Sequence, residues 1–259
     1  MIYALGVEYR GTGYCGWQRQ PHCDSVQQNL EQALSFVADH SVEMVCAGRT
    51  DTGVHALEQV AHFESEASRS ERAWLLGANC RLPRDIRIRW VLPVADDFHA
   101  RFAARARAYR YLIYNAAVPS ALFHDQSTWE FRPLDHGDMH QCAQLLLGEH
   151  DFSSFRAAGC QSKSASRDVR QISVTRQGEL VILDIEANAF LYHMVRNIVG
   201  SLIAVGAGEM DIDEFARIFA ACDRNLAAPT APAAGLYFLR ASYDDRFKLP
   251  TSCKKPVLF

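Results

Sequence analysis

No stretch of the 259-residue sequence approaches 18 uninterrupted apolar residues, so no membrane-spanning helix is expected. The opening residues, Met1 to Arg10, lack a basic start followed by an apolar core, which removes a cleaved secretory signal from consideration. No C-x-x-C pair occurs among the eight cysteines, scattered at 15, 23, 46, 80, 142, 160, 222 and 253. A chain this long needs no disulfide staples, so reduced thiols in a cytoplasmic protein are expected. Cys15, His22 and Cys23 lie close in sequence but match no common zinc spacing, and no metal site is expected from them. Repeats and low-complexity runs are absent as well. With 49% hydrophobic and 22% charged residues, the composition is that of an ordinary folded protein of one or two domains.

Excess positive charge is lacking overall, the formal net charge being −3, yet the charge is unevenly placed. Residues 81–110 hold eight arginines (81, 84, 87, 89, 101, 105, 107 and 110) against Asp85, Asp96 and Asp97, a local charge of +5 with −8 elsewhere. Such a segment reads either as a directed polyanion site or as a solvated strand face.

Periodicity orders the chain. Tyr3, Leu5, Val7 and Tyr9 alternate with Ala4, Gly6, Glu8 and Arg10 as in a strand with one buried face, and a glycine-rich turn follows at 11–16. Ser25 and Gln28 form a capping-box pair ahead of a helix over 25–39. Short strands are predicted at 42–47 and 59–64, a second helix capped by Ser68 and Glu71, and a fourth strand over 86–92. The second half reads as a strand at 109–115, a helix over 135–148, a hairpin of 168–176 and 179–188 around Gln177 and Gly178, a helix over 191–205, a further helix capped by Asp211 and Glu214, and a closing strand at 235–243. Each half runs β-α-β-β-α-β, the second with one helix inserted. That order predicts an α+β fold of two ferredoxin-like (split βαβ, RRM-like) halves with mainly antiparallel sheets and a cleft between them. The expected domains are 1–104 and 105–259, with a partly mobile tail over 244–259.

The most informative string is Ala47-Gly48-Arg49-Thr50-Asp51-Thr52-Gly53-Val54-His55-Ala56, which sets one carboxylate on a glycine-bounded connection between strands. Asp51 followed by Gly53 is what a plain Asx turn looks like. A turn, however, needs no Arg49, Thr50 and His55 around one acid, whereas a nucleophilic or basic carboxylate gains from donors and cations that keep it ionised and oriented. His55 and His62 read as hydrogen-bonded packing histidines.

At this loop the sequence resembles the tRNA pseudouridine synthase A family. Gly48 to Ala56 is similar to that family's catalytic signature, Arg105-Ala-Arg-Ala-Tyr109-Arg-Tyr111 resembles its tyrosine-bearing strand, and Asn188 to Gly200 resembles its third motif, which contains Arg196. Asp151 to Arg156 and Ala231 to Phe238 are further likenesses, so the resemblance runs from residue 3 to about 243. Thr52 stands where alanine is common and Ala108 where a basic residue is common. The resemblance implies that Asp51 is the catalytic aspartate, that Tyr109 and Arg196 bind substrate, and that Arg196 pairs with Asp51. Arg49 reads as a contact to the phosphate beside the target or as a turn-stabilising group.

The implied substrate is the anticodon arm of tRNA, with uridines at tRNA positions 38, 39 and 40, and the implied assembly is a homodimer. Isomerising uridine to pseudouridine breaks the C1′–N1 bond and forms C1′–C5 without net oxidation, so no small-molecule cofactor is called for. Asp51 could attack C1′, attack C6 or take a proton from the sugar. Tyr109 would offer a ring face to a uracil flipped out of its stack. The rival from another class is a non-catalytic RNA-binding protein on the same scaffold, which has no need of an acid in a cationic groove. A hydrolase would present two carboxylates flanking the bond, and the loop supplies one.

Overall fold

The structure is a computed structural model, and it describes residues 1–250. Ten strands and five α-helices are distributed over two compact units, one built from Met1–Arg107 together with the chain from Tyr237, the other from Ala108–Leu236.

In the first unit, β1 (Ile2–Tyr9) is buried along nearly its whole length rather than on one face. The reason is position: β1 is central, with a neighbour on each edge, and Gly6 leaves room for the Trp90 indole, which would lie 2.3 Å from a Cβ at that residue. Helix α1 (Val26–Ala38) starts where expected, with the Ser25 side chain accepting from the Gln28 amide. After β2 (Met44–Cys46) and β3 (His55–Glu64) comes α2 (Glu71–Asn79). Its cap is Ser70, accepting from the Ala73 amide, and not Ser68, because the chain through residue 70 is still extended. Strand β4 (Ile86–Val94) completes the order β4-β1-β3, with β2 also beside β3 and every one of these pairs antiparallel. The register sets Leu5 against Ala61 on one side and Val91 on the other. Tyr3, Phe63 and Trp74 form an aromatic centre beneath α2, with ring centroids 5.0–5.4 Å apart.

In the second unit, β5 (Ala106–Asn115) is paired in parallel by the short β6 (Thr128–Glu130), a strand not foreseen. Helix α3 (His136–Gln144) is capped by Asp135, which accepts from the Gly137 and Asp138 amides. β7 (Gly148–Asp151), β8 (Ser166–Gln177) and β9 (Leu180–Ala187) give the order β5-β9-β8-β7, the β8–β9 hairpin turning at Gly178 with φ 58°. Helix α4 (Met194–Gly206) begins three residues later than predicted, because His193 adopts a left-handed backbone (φ 59°) that reverses the chain just before it. α5 (Ile212–Ala220) follows, capped by Asp211.

The last strand, β10 (Leu236–Ser242), read from the sequence as the close of the second half, pairs in parallel with β3 through Tyr237–His55 and Phe238–Ala56. The three residues of β2 leave that stretch of the β3 edge uncovered, and β10 takes it. Just beyond β10 the Tyr243 hydroxyl donates to the Ala100 carbonyl, and within the tail expected to be partly mobile Phe247 is buried edge-on against Phe98. The remainder of that tail, 251–259, lies outside the described residues.

Candidate active site

Asp51 sits half-buried in the loop 47–54 between β2 and β3, and backbone contacts hold this loop from several sides. At its root, the buried Gln59 carboxamide clasps Gly48, donating to its carbonyl at 2.6 Å and accepting from its amide at 3.3 Å. The Arg107 guanidinium donates to the Ala47 carbonyl at 3.1 Å. One residue before Asp51, the Thr50 hydroxyl shares a buried 2.7 Å hydrogen bond with Tyr9, and the Thr50 carbonyl accepts from the Trp17 amide at 3.0 Å. Past Asp51, the Val54 amide closes a turn onto the Asp51 carbonyl, helped by Gly53 at φ 80°.

The glycine-rich turn at 11–16 explains how closely the two loops approach. A Cβ on Gly16 would stand 2.4 Å from the Thr50 carbonyl oxygen and 2.9 Å from the Asp51 carbonyl carbon, and one on Gly11 would stand 1.9 Å from the Val54 oxygen. Only bare backbone fits there. The Gly11 amide also donates to Nδ1 of His55, whose buried ring stacks on Tyr237 at 4.7 Å. His55 is thus the packing histidine that the sequence suggested. Tyr9, Gly11, Gly16, Trp17 and Gln59 build the loop, and sequence reasoning assigned none of them to it. The glycine cluster was the one visible signal, since the other contacts join residues far apart in the chain.

Cys15 and Cys23 correct the expectation of reduced thiols throughout: they are joined as a disulfide, with Cα atoms 6.1 Å apart. The Cys15 amide bonds to the Asp24 carbonyl, and the turn between the cysteines returns through a Gln20–Cys23 bridge. That closure, and not the spacing, brings the sulfurs together, immediately before the Gly16–Trp17 segment that touches Thr50. Cys46, Cys80, Cys142, Cys160 and Cys222 are free thiols. Among the described residues no group of three or more His, Cys, Asp or Glu side chains is arranged to hold a metal ion.

Arg49 is exposed on the same loop as Asp51. Tyr109 and Arg196 belong to the second unit. Tyr109, on β5, is buried, with its ring edge-to-face on Phe190 at 4.9 Å. Arg196, in the first turn of α4, is half-buried, and it is more than a surface arginine of a helix. Its Nε donates to the Ala231 carbonyl at 2.8 Å and its carbonyl accepts from the Ala231 amide. Gly200, one turn on, lets residue 229 approach so closely that a Cβ would stand 1.9 Å from the Pro229 oxygen. Tyr111 donates to the Pro232 carbonyl at 2.7 Å; burial pushes its hydroxyl pKa well above the usual range, and the Arg196 charge opposes that rise. Tyr111 and Arg196 therefore share one neighbourhood, organised by β5, the start of α4 and the segment 229–232, and Tyr109 lies two residues before Tyr111 on the same strand.

The arginines of 81–110 do not form a stripe free for phosphate. Arg107 is spent on the Ala47, Arg101 and Ala104 carbonyls, and Arg110 makes a two-pronged pair with Asp184 at 2.7 and 2.8 Å. Arg105 pairs with Asp244, Arg89 with Glu8, and Arg87 donates to the Pro83 and Ile86 carbonyls. Strand alternation and local carbonyls, invisible in a charge count, divide these cations among separate tasks.

Comparison with known proteins agrees with the motif reading. The family described as tRNA pseudouridine synthase matches residues 6–103 and 142–244. A tRNA pseudouridine synthase A of Hydrogenovibrio crunogenus is 57% identical over 249 residues, covering 96% of this chain and 95% of that one. Its counterparts in Salmonella arizonae and Pasteurella multocida are 56% and 52% identical, covering 98% and 99% of this chain and 94% and 97% of theirs. A loop shaped around one aspartate, the motif arginine anchored to Ala231 at the start of α4, and these near-full-length similarities agree: the chain belongs to the tRNA pseudouridine synthase family.

Proposed function

We propose that this protein isomerises uridine to pseudouridine at positions 38, 39 and 40 of the tRNA anticodon stem-loop, with Asp51 as the essential group. The observation that carries the reading is the construction of the 47–54 loop. Tyr9, Trp17, Gln59, Arg107 and two glycines hold the backbone on both sides of one half-buried carboxylate, a degree of preorganisation that a connecting turn does not require. In the reaction the C1′–N1 bond breaks, C1′–C5 forms, C5 loses its proton to solvent and N1 gains one. Asp51 acts at the sugar or at the base, Tyr109 presents its ring to the extruded uracil, Arg196 supplies a fixed positive charge, and the exposed Arg49 meets the adjoining phosphate. Strands β4, β1, β3 and β2, in that order, pair antiparallel and, with two helices, support a ferredoxin-like half on residues 1–104, to which β10 adds a parallel strand. The family likeness supports a cytoplasmic homodimer.

The test is release of tritium from tRNA labelled at uracil C5. Native protein is expected to release it with the base still attached to RNA. Asp51→Asn is expected to bind tRNA within a few-fold of native and to release none. Equal release by both proteins would remove Asp51 from the chemistry, tight binding with no release by either would make the chain an RNA-binding protein, and free uracil would indicate hydrolysis.

A further inference from the structure

Phe102 is one of the most exposed large apolar side chains of the described residues, at 76%, and it is not loosely held. It lies in the tight turn 99–103, where the Ala103 amide bonds to the His99 carbonyl and the Arg101 and Phe102 amides both donate to Nδ1 of His99 at 3.2 Å. Those two bonds fix the His99 ring, and the Phe102 ring stacks on it at 4.3 Å and 27°. His99 in turn lies 4.8 Å from the buried His62 ring. Three rings thus form a ladder from the core to the surface, ending in a phenyl group whose outer face meets solvent. The exposed Arg101 guanidinium stands 5.5 Å from the Phe102 centroid.

The turn is also tied to the Asp51 loop. The Nη2 of Arg107 donates at once to the Arg101 carbonyl at 2.6 Å and to the Ala47 carbonyl at 3.1 Å, so one guanidinium nitrogen joins the platform to the root of the loop. Burial pushes the pKa of the Cys46 thiol, at the end of β2, up to about 12, and the charges of Arg49 and Arg101 oppose that rise. An aromatic ring preset by a second ring, with a cation beside it, is what recognition of an unpaired nucleobase requires: every base has a π face, and the backbone beside it carries a phosphate. The acid facing the turn from 97 is itself paired, Asp97 with Arg246 at 2.6 Å.

We propose that the outer face of Phe102, backed by His99, stacks on one unpaired base of the RNA substrate, with Arg101 engaging the adjoining phosphate. This inference rests on the tRNA reading above and adds to it a binding residue that the motifs did not single out. Because Phe102 is exposed and its turn is held by the Ala103–His99 backbone bond and by the His99 ring rather than by the Phe102 side chain, its replacement is expected to leave the fold intact.

The experiment measures affinity for an unmodified tRNA transcript in the Asp51→Asn background, where binding needs no turnover. Phe102→Ala and Phe102→Leu are both expected to weaken binding about tenfold, Phe102→Trp to retain it, and Arg101→Ala to weaken it with a shallower salt dependence. With Asp51 intact, Phe102→Ala is expected to raise KM with little change in kcat. Leucine binding as tightly as phenylalanine would overturn stacking, as would unchanged affinity in the alanine variant. A changed molecular mass in solution with unchanged RNA affinity would assign the ring to contact with another copy of the chain and overturn the proposal. Failure of native protein to release tritium counts against the isomerase reading alone, since the Phe102 series is scored by binding.

Discussion

Gly16 shows how a residue without a side chain sets up a site. It holds φ at 86° and passes so close to the Thr50–Asp51 backbone that a Cβ would clash with it, so the position of Asp51 depends on what Gly16 lacks. Gly16→Ala is expected to cost about 1–3 kcal/mol in urea unfolding, through the left-handed backbone and the displaced carbonyl, and to lower kcat much more than it changes tRNA affinity. Equal activity in that variant would mean that the loop tolerates the shift and that Asp51 is not held by this contact. His62 carries a different kind of dependence at the same scale. Burial, with the neighbouring His99 second, holds its pKa below the usual histidine value, against the opposing pull of Glu64 and of a hydrogen bond to the Val45 backbone, and its neutral ring accepts from the Ala100 amide. The folded state thus favours the neutral form. That contribution is complete above the unfolded value of about 6.5 and is lost as pH falls from there toward the folded value. Thermal stability is expected to fall between pH 7.5 and 5.5, and His62→Asn, whose side-chain oxygen can still accept from Ala100, is expected to flatten that fall.

Among the elements, those with strong local signals formed where their residues indicated. Helix α1 begins at a serine cap and buries Leu30 and Leu34 on one face. Ser25→Ala is expected to cost about 1 kcal/mol of stability in chemical denaturation while leaving the rate of isomerisation per folded molecule unchanged. β6 and β7, three and four residues long, gave no usable period. Ser68 is the expected cap of α2 and Ser70 the observed one, because capping is decided by where the chain turns, and an S-x-x-E pair says only where it could. β1 reads in sequence as one-sided and is buried on both, since a central strand takes its second cover from neighbours such as Trp90 that are distant in the chain.

At the level of the whole molecule, the chain builds one unit from both of its ends, with β10 returning to the edge of β3. The arginine-rich segment makes the same point about charge. Its +5 is real, but Asp184, Asp244, Glu8 and a set of backbone carbonyls absorb much of it, and Arg101 emerges beside an exposed ring instead. What the sequence by itself determined was the local grammar and the chemistry-bearing residues: strand and helix periods, most caps, the aspartate loop, and motifs specific enough to name a family. Those signals are short-range or depend on residue identity, so they survive without a fold. Only the tertiary structure decided which glycines press on the Asp51 loop, which cysteines meet, which arginines are spent on carbonyls, and which edge of β3 receives the last strand. Each of those is a choice of partner between residues far apart in the chain, made by steric fit and hydrogen-bond satisfaction once the elements pack.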